Sequence, residues 1–117
     1  MSNFKDLHIW KEAIELAVQI YKLTSEAPFS QDFGLKDQCQ RAAVSISSNI
    51  AEGEELDTDK QAIRHLYIAK GSCAELLTQM IIAQRINYIS TVQYSELEKT
   101  CTSLSIKIKK FINSKNT

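Results

Sequence analysis

Hydrophobic residues recur every three or four positions along almost the whole chain, which is the spacing of amphipathic α-helices. The first such segment runs from about Asp6 to Ser25, and the only proline, Pro28, lies in the turn after it. The second runs from soon after Ser30 to Gly53, a residue type that favours a helix C-terminus. The third extends from Thr58 to about Arg85, and the fourth follows Ser90. No segment shows the alternation of a β-strand.

These elements predict an all-α fold. Thr58 with Gln61, and Ser90 with Gln93, have the spacing of capping boxes at the start of a helix. Short connections place consecutive helices antiparallel, so we expect an antiparallel up-down-up-down four-helix bundle that occupies residues 1–117 as one domain. The predicted core seam of the fourth helix has the three- and four-residue steps of a coiled coil and consists of Tyr94, Leu97, Cys101, Leu104, Ile108 and Phe111.

The second and third helices each carry a stripe of small and polar residues beside the apolar stripe. Solvent-facing helix surfaces are usually rich in Lys and Glu, whereas Gly, Ser, Asn and Gln in a row indicate close contact with another protein surface. We therefore predict packing or interface residues along both stripes. They are Gln38, Arg41, Ser45, Ser48, Asn49, Glu52 and Gly53 in the second helix, and Gly71, Ser72, Glu75 and Gln79 in the third.

Gly71 is predicted to lie where the third helix crosses close to the second. A glycine inside a helix costs about 1 kcal/mol relative to alanine, and a close crossing would offset that cost. The first three helices also carry more apolar residues than a lone bundle needs, so we expect a homo-oligomer. In the third helix, the predicted apolar stripe is Leu66, Tyr67, Ala74, Leu77 and Ile81.

Charge is balanced overall but unevenly distributed. Residues 1–56 hold five basic and nine acidic side chains, a net of −4, whereas residues 57–117 hold nine and five, a net of +4. Zero net charge argues against a protein that binds nucleic acid strongly along its whole surface. The basic end of the chain has two interpretations, a solvated helix end and a patch for an anionic partner. The candidate nucleic-acid contacts are Lys99, Lys107, Lys109 and Lys110.

No residue pattern indicates catalysis, a cofactor or a metal. Cys39, Cys73 and Cys101 lack the spacing of zinc ligands or of a disulfide framework and are interpreted as small buried hydrophobic residues in a reducing compartment. His8 and His65 do not form the Glu-x-x-His pairs of di-metal bundles and are interpreted as surface residues. Glu52 and Glu75 are the remaining candidates for a paired-carboxylate site, the alternative being hydrogen bonds to neighbouring side chains. We predict a protein that is not an enzyme.

The chain has neither a signal peptide pattern at its start nor a window of about 18 apolar residues. A cytoplasmic protein without membrane contact is therefore expected.

Two runs resemble a known family. Gln38 to Gly53, ending SSNIAEG, and Ile68 to Leu76, IAKGSCAEL, are similar to a bacterial four-helix-bundle family first noticed as proteins encoded by intervening sequences within large-subunit ribosomal RNA genes. The resemblance implies a small antiparallel bundle that assembles into a ring-shaped homopentamer. Similar accessory proteins of diversity-generating retroelements bind nucleic acid and a reverse transcriptase through a basic ring surface. The family's Phe-x-x-Leu-x-x-Trp opening is matched by Phe4, Leu7, Trp10 and Ala13.

The chain departs from this family directly after the SSNIAEG run. The family commonly has basic residues there, whereas this chain has Glu54, Glu55, Leu56 and Asp57. Because an acidic loop repels phosphate, RNA binding at this loop is not expected. Two functions stay open: an oligomeric scaffold or interaction module that presents a ring to another protein, and an accessory factor that binds RNA or DNA through a basic surface.

Overall fold

The computed structural model describes residues 3–116, and within them it contains helices and no strand. The helices are α1 (His8–Thr24), α2 (Phe33–Glu55), α3 (Asp59–Arg85) and α4 (Thr91–Lys115), with short 3₁₀ turns at Phe4–Asp6 and Phe29–Gln31. Each helix packs against the next in the chain, and α4 also contacts α1. This confirms the predicted all-α bundle, which measures 45 × 20 × 20 Å.

The starts of α2, α3 and α4 are fixed by side chains that accept hydrogen bonds from backbone N–H groups of the first turn. At α4 both bonds of the predicted capping box are present: the Gln93 N–H donates to the Ser90 hydroxyl at 3.0 Å, and the Ser90 N–H donates to Gln93 Oε1 at 2.8 Å. At α3 the Gln61 N–H donates to the Thr58 hydroxyl at 3.2 Å. At α2, Asp32 accepts from the Leu35 N–H at 3.1 Å.

The turn between α3 and α4 is closed by backbone hydrogen bonds and anchored to α2. Asn87 has a φ of 64°, the left-handed conformation that often ends a helix. The N–H of Tyr88 donates to the Ala83 carbonyl at 2.8 Å, and the N–H of Asn87 donates to the Gln84 carbonyl at 3.1 Å. The Tyr88 hydroxyl donates to Asp32 Oδ2 at 2.9 Å, and this bond raises the pKa of Tyr88. The turn therefore fixes where α4 begins relative to α2.

The predicted core seam of the fourth helix is largely confirmed, whereas the predicted apolar stripe of the third helix is partly wrong. In α4, Tyr94 and Phe111 at the ends of the seam are only partly buried, while Ile112 is fully buried. In α3, the prediction that Tyr67 and Ala74 face the core is wrong, because both are exposed. The α3 core residues are Ala62, Leu66, Ala69, Cys73, Leu76, Met80 and Ala83.

The predictions for the two glycines of the predicted interface are both wrong: Gly53 lies at a close helix contact, and Gly71 does not. Gly53 does not end α2, which continues to Glu55; it is buried inside the helix. A Cβ at Gly53 would lie 3.2 Å from the Ala62 carbonyl oxygen, so glycine permits the close approach of α2 and α3. At Gly71 the predicted close crossing is wrong, because this residue is exposed and a Cβ there would meet no atom within 4 Å.

Candidate functional site

Four residues of the predicted stripes meet in one polar cluster between α2 and α3. The Ser72 hydroxyl donates to the Ser45 hydroxyl at 2.9 Å. The Asn49 side-chain amide donates to Ser45 Oγ at 3.1 Å and to the Ser45 carbonyl at 2.9 Å. His65 Nδ1 lies 2.9 Å from Asn49 Oδ1 and 3.1 Å from Glu52 Oε2. The polar cluster consists of Ser45, Asn49, Glu52, His65 and Ser72.

The bonding pattern of this cluster explains what it can do. Both oxygens near His65 Nδ1 are acceptors, so that nitrogen carries the hydrogen and donates it. The Ser72 hydroxyl bonds to the Ser45 hydroxyl, and the Ser45 hydroxyl also accepts from Asn49; neither hydroxyl bonds to the imidazole. The geometry therefore does not place a base beside a hydroxyl nucleophile. The cluster instead satisfies polar groups that lie half-buried in a helix contact, and thereby fixes the register of α2 against α3.

His65 was missed by the sequence interpretation, which placed it at the surface. Its side chain is only 28% exposed. The available signal was its position seven residues before Ser72, which puts both on one face of α3. Glu52 and Glu75 do not form the candidate carboxylate pair, because Glu52 contacts His65. Glu75 lies ten residues beyond His65 on α3, which is about 15 Å along the helix.

The remaining stripe residues divide between solvent and core. Gln38, Glu75 and Arg41 are exposed, and Arg41 Nε is paired with Asp37 Oδ2 at 2.8 Å within α2. Gln79 is buried, and its side-chain oxygen has no hydrogen-bond partner within residues 3–116. The stripes therefore combine a helix–helix contact with an open surface beside it.

Large hydrophobic side chains are exposed beside that contact. Ile68 and Ile82 on α3 are 44% and 45% exposed and lie on the same side of the helix as Gly71. We call Ile68, Gly71 and Ile82 the α3 face. A second group, the α1 stripe, consists of Ile14, Val18 and Tyr21 at spacings of four and three, with exposures of 36%, 48% and 48%.

The lysines of α4 differ in how far they are already engaged within the chain. Lys107 Nζ pairs with Glu12 Oε1 of α1 at 2.6 Å. Lys109 Nζ donates to the Tyr67 hydroxyl at 2.7 Å and lies 5.0 Å from the centre of that ring. Lys99 and Lys110 are exposed and make no ion pair within the described part of the chain. One chain thus offers two free cations of the four that the sequence suggested.

The three cysteines are buried free thiols, which confirms their interpretation as core residues. Burial raises the pKa of Cys39 and of Cys73 from 9.0 to about 12 and that of Cys101 from 9.0 to about 11. Such thiols are poor nucleophiles at neutral pH because the thiolate is the reactive form. Within residues 3–116, no group of three or more His, Cys, Asp or Glu side chains is arranged to hold a metal ion.

None of the helices in residues 3–116 is long and apolar enough to cross a membrane.

Fold and surface together define a small four-helix bundle whose distinctive residues build a close α2–α3 contact with an open face beside it. The chain belongs to the 23S rRNA-intervening sequence protein family, whose model matches residues 5–110. This confirms the resemblance seen in the sequence. Among curated proteins no relative matches the chain.

A solved structure shares the fold over almost the entire length. It is a protein with unknown function from the S23 ribosomal protein family of Bacteroides thetaiotaomicron, determined at 1.70 Å. The two chains are 25% identical with a TM-score of 0.82, and the match covers 89% of this chain and 97% of the other.

Proposed function

We propose that the protein is a homo-oligomeric scaffold that works by presenting a repeated surface to another protein. The observation that supports this most is the α3 face, where Ile68 and Ile82 are exposed on the same side of α3 as Gly71, one turn before it and about three turns after it. Large hydrophobic residues that are exposed along one face of a helix are a candidate interaction surface on a small protein. Gly71 would let a neighbouring backbone approach closely, which would compensate for its low helix propensity.

The α1 stripe gives each chain a second apolar surface on a different helix. A chain with two different surfaces can bind copies of itself head to tail, and such contacts close into a ring when the rotation between copies permits it. The number of copies that we favour, five, comes from the family resemblance alone.

Size-exclusion chromatography with light scattering at micromolar concentration tests this proposal. We expect a mass several times the 13.2 kDa of one chain. Ile68→Asp combined with Ile82→Asp should shift the mass toward that of one chain without loss of helical circular dichroism, because both side chains are already exposed. Val92→Asp is the matched control, since Val92 is 69% exposed and lies on α4. A parent mass near 13.2 kDa would overturn the proposal.

A second candidate is RNA binding through α4. It is favoured by Lys99 and Lys110, two exposed and unpaired lysines on the outer side of one helix. In a ring, this pair would recur in every copy and form a basic band even though the net charge is zero. Because each phosphate contact releases a counterion, the affinity for a structured RNA should fall steeply with salt.

Electrophoretic mobility shift at low and moderate salt decides this second candidate. Lys99→Gln combined with Lys110→Gln should remove most of the binding, whereas Glu54→Gln combined with Glu55→Gln should leave binding unchanged or strengthen it. If the parent causes no shift of structured RNA or duplex DNA at low salt and high protein concentration, this candidate is rejected.

A further inference from the structure

A shallow groove lies at one end of the bundle, between the start of α1 and the end of α4. Its volume is about 410 Å³, and its apolar lining comes from Leu7, Ile9 and Phe111. Lys107 and Lys110 of α4 also line it. The groove therefore combines a hydrophobic floor with two ammonium groups, of which Lys110 is unpaired within residues 3–116. An occupant that matches it needs an apolar side chain flanked by carboxylates.

The connection between α2 and α3 carries this combination. Leu56 follows the last residue of α2, has an extended backbone with φ −79° and ψ 150°, and is 37% exposed. Its neighbours Glu55 and Asp57 are both exposed carboxylates. Leu56 does not line the groove of its own chain. We call residues 55–57 the acidic tip.

The groove and the acidic tip lie at the same end of the molecule. In an antiparallel bundle the start of α1, the end of α2, the start of α3 and the end of α4 share one end. The groove lies on the α1–α4 side and the acidic tip at the α2–α3 connection. Copies that stand side by side with parallel axes therefore have groove and tip at the same height.

We infer that the acidic tip of one copy occupies the groove of the next copy. Leu56 contacts the floor formed by Leu7, Ile9 and Phe111, and the carboxylates of Glu55 and Asp57 face the ammonium groups at Lys107 and Lys110. This contact is head to tail, so the same pair of surfaces recurs between all neighbours, as it does in a closed ring. The inference rests on the proposed assembly and names one of its contacts. It also gives a role to the acidic residues by which this chain departs from its family.

Charge reversal tests the electrostatic half of this contact. Lys110→Glu and Asp57→Lys should each raise the apparent dissociation constant between copies about tenfold or more, because each places like charges together. Both changes in the same chain should restore most of the assembly, since the pair is again opposite in sign. Lys99→Glu, on the same helix and outside the groove, is the control and should leave assembly unchanged.

Cross-linking tests the location directly. The native thiols are buried and remain protonated at neutral pH, so engineered surface cysteines react without competition. Leu56→Cys in one preparation and His8→Cys in another should yield a disulfide-linked pair when the two are mixed and mildly oxidised, because His8 lines the groove. Replacing His8→Cys by Thr102→Cys, an exposed α4 position that does not line this groove, should yield far less.

The outcomes separate this inference from the proposed assembly. A parent that stays monomeric by light scattering overturns both. An assembled parent with no enrichment of the Leu56→Cys and His8→Cys pair, and with no response to Lys110→Glu, overturns the groove contact and leaves the assembly intact. Loss of RNA binding with unchanged assembly in Lys110→Glu also overturns it, because the lysine would then serve a nucleic acid.

Discussion

The α2–α3 contact is built from small side chains, whereas the α1–α4 contact includes long charged ones. Between α2 and α3, the hydroxyls of Ser45 and Ser72 bond directly at 2.9 Å. Gly53 lacks a Cβ, which would lie only 3.2 Å from the Ala62 carbonyl oxygen of α3. Between α1 and α4, the long side chains of Glu12 and Lys107 meet at 2.6 Å near the surface. Helix axes approach only as closely as the side chains between them allow. The small residues Ser45, Gly53 and Ser72 therefore make α2 and α3 the tightly packed half of the bundle.

The difference also explains where the molecule is open. Long side chains between α1 and α4 leave grooves along that contact, one of about 410 Å³ at the bundle end and one of about 360 Å³ beside Glu12, Glu15 and Lys99. In the α2–α3 half, by contrast, the exposed apolar residues lie outside the contact between the helices, on the α3 face. The α2–α3 half is therefore expected to contribute more to stability, and the α1–α4 half offers grooves to other molecules.

The largest expected effect comes from alkaline pH, which acts on thiols that all lie in α2, α3 and α4. Unfolded thiols ionise near pH 9, whereas folded Cys39 and Cys73 do so at about 12 and Cys101 at about 11. Between these values the folded state binds more protons, so the free energy of unfolding falls as pH rises above 9. Each thiol contributes at most about 1.4 kcal/mol per pH unit.

Urea denaturation between pH 8 and 11 measures this fall. Tyr88, whose pKa is also raised, contributes in the same direction, so the informative quantity is the difference between the parent and Cys73→Ala. The variant should be less stable at pH 8 because of the cavity it leaves, but its stability should decline less steeply above pH 9. An identical decline in the two proteins would show that Cys73 ionises normally in the folded state.

Gly53→Val tests the close approach of α2 and α3. The new side chain would press against the Ala62 carbonyl and the Leu66 side chain, so we expect a loss of about 2–4 kcal/mol in the free energy of unfolding. Gly71→Ala is the matched glycine control. Its Cβ meets no neighbour in its own chain, so in the Ile68→Asp and Ile82→Asp background, where the α3 face is no longer a contact, it should stabilise the folded chain by up to about 1 kcal/mol through helix propensity. Similar effects at both glycines would mean that the α2–α3 contact is not specially tight at Gly53.

The sequence predicted the helices and their order, and failed on which side of α3 faces the core and on which residues of α2 and α3 meet. Helix order and the Ser90 cap follow from local spacing and are confirmed. The close approach at Gly53 depends on which turn of α3 lies opposite which turn of α2. The position of α3 along α2 is set by tertiary packing, and the periodicity of hydrophobic residues does not predict it.

The candidate site shows the same limit. The polar stripe was recognisable because small residues recur at helical spacing, yet His65 was assigned to the surface because its partners, Asn49 and Glu52, lie on another helix. Likewise the four lysines of α4 looked equivalent in sequence. Glu12 and Tyr67, contributed by α1 and α3, distinguish Lys107 and Lys109 from the free pair.

Asn49→Ala should have an intermediate effect on stability. Removing the amide leaves Ser45 and His65 without their shared partner in a partly buried contact, so we expect a loss of about 1–2 kcal/mol. Glu75→Ala is the control on the neighbouring stripe, and it should change the stability of the single chain by less than about 0.5 kcal/mol because Glu75 is exposed. Thermal melting at pH 7 compares the two variants. Equal melting temperatures would indicate that water replaces the Asn49 bonds without loss.

Glu12→Gln should have the smallest effect, although it removes the closest ion pair between α1 and α4. Glu12 and Lys107 side chains are 37% and 47% exposed, so solvent screens their attraction and both lose rotamer freedom in the pair. We expect a loss of about 0–1 kcal/mol that disappears at high salt. Denaturation at low and high ionic strength measures it, with Glu15→Gln, an exposed α1 acid outside this pair, as the control. A loss comparable to that of Asn49→Ala, and independent of salt, would mean that the α1–α4 contact is as closely determined as the α2–α3 contact, and the division of the bundle into a tight and an open half would fail.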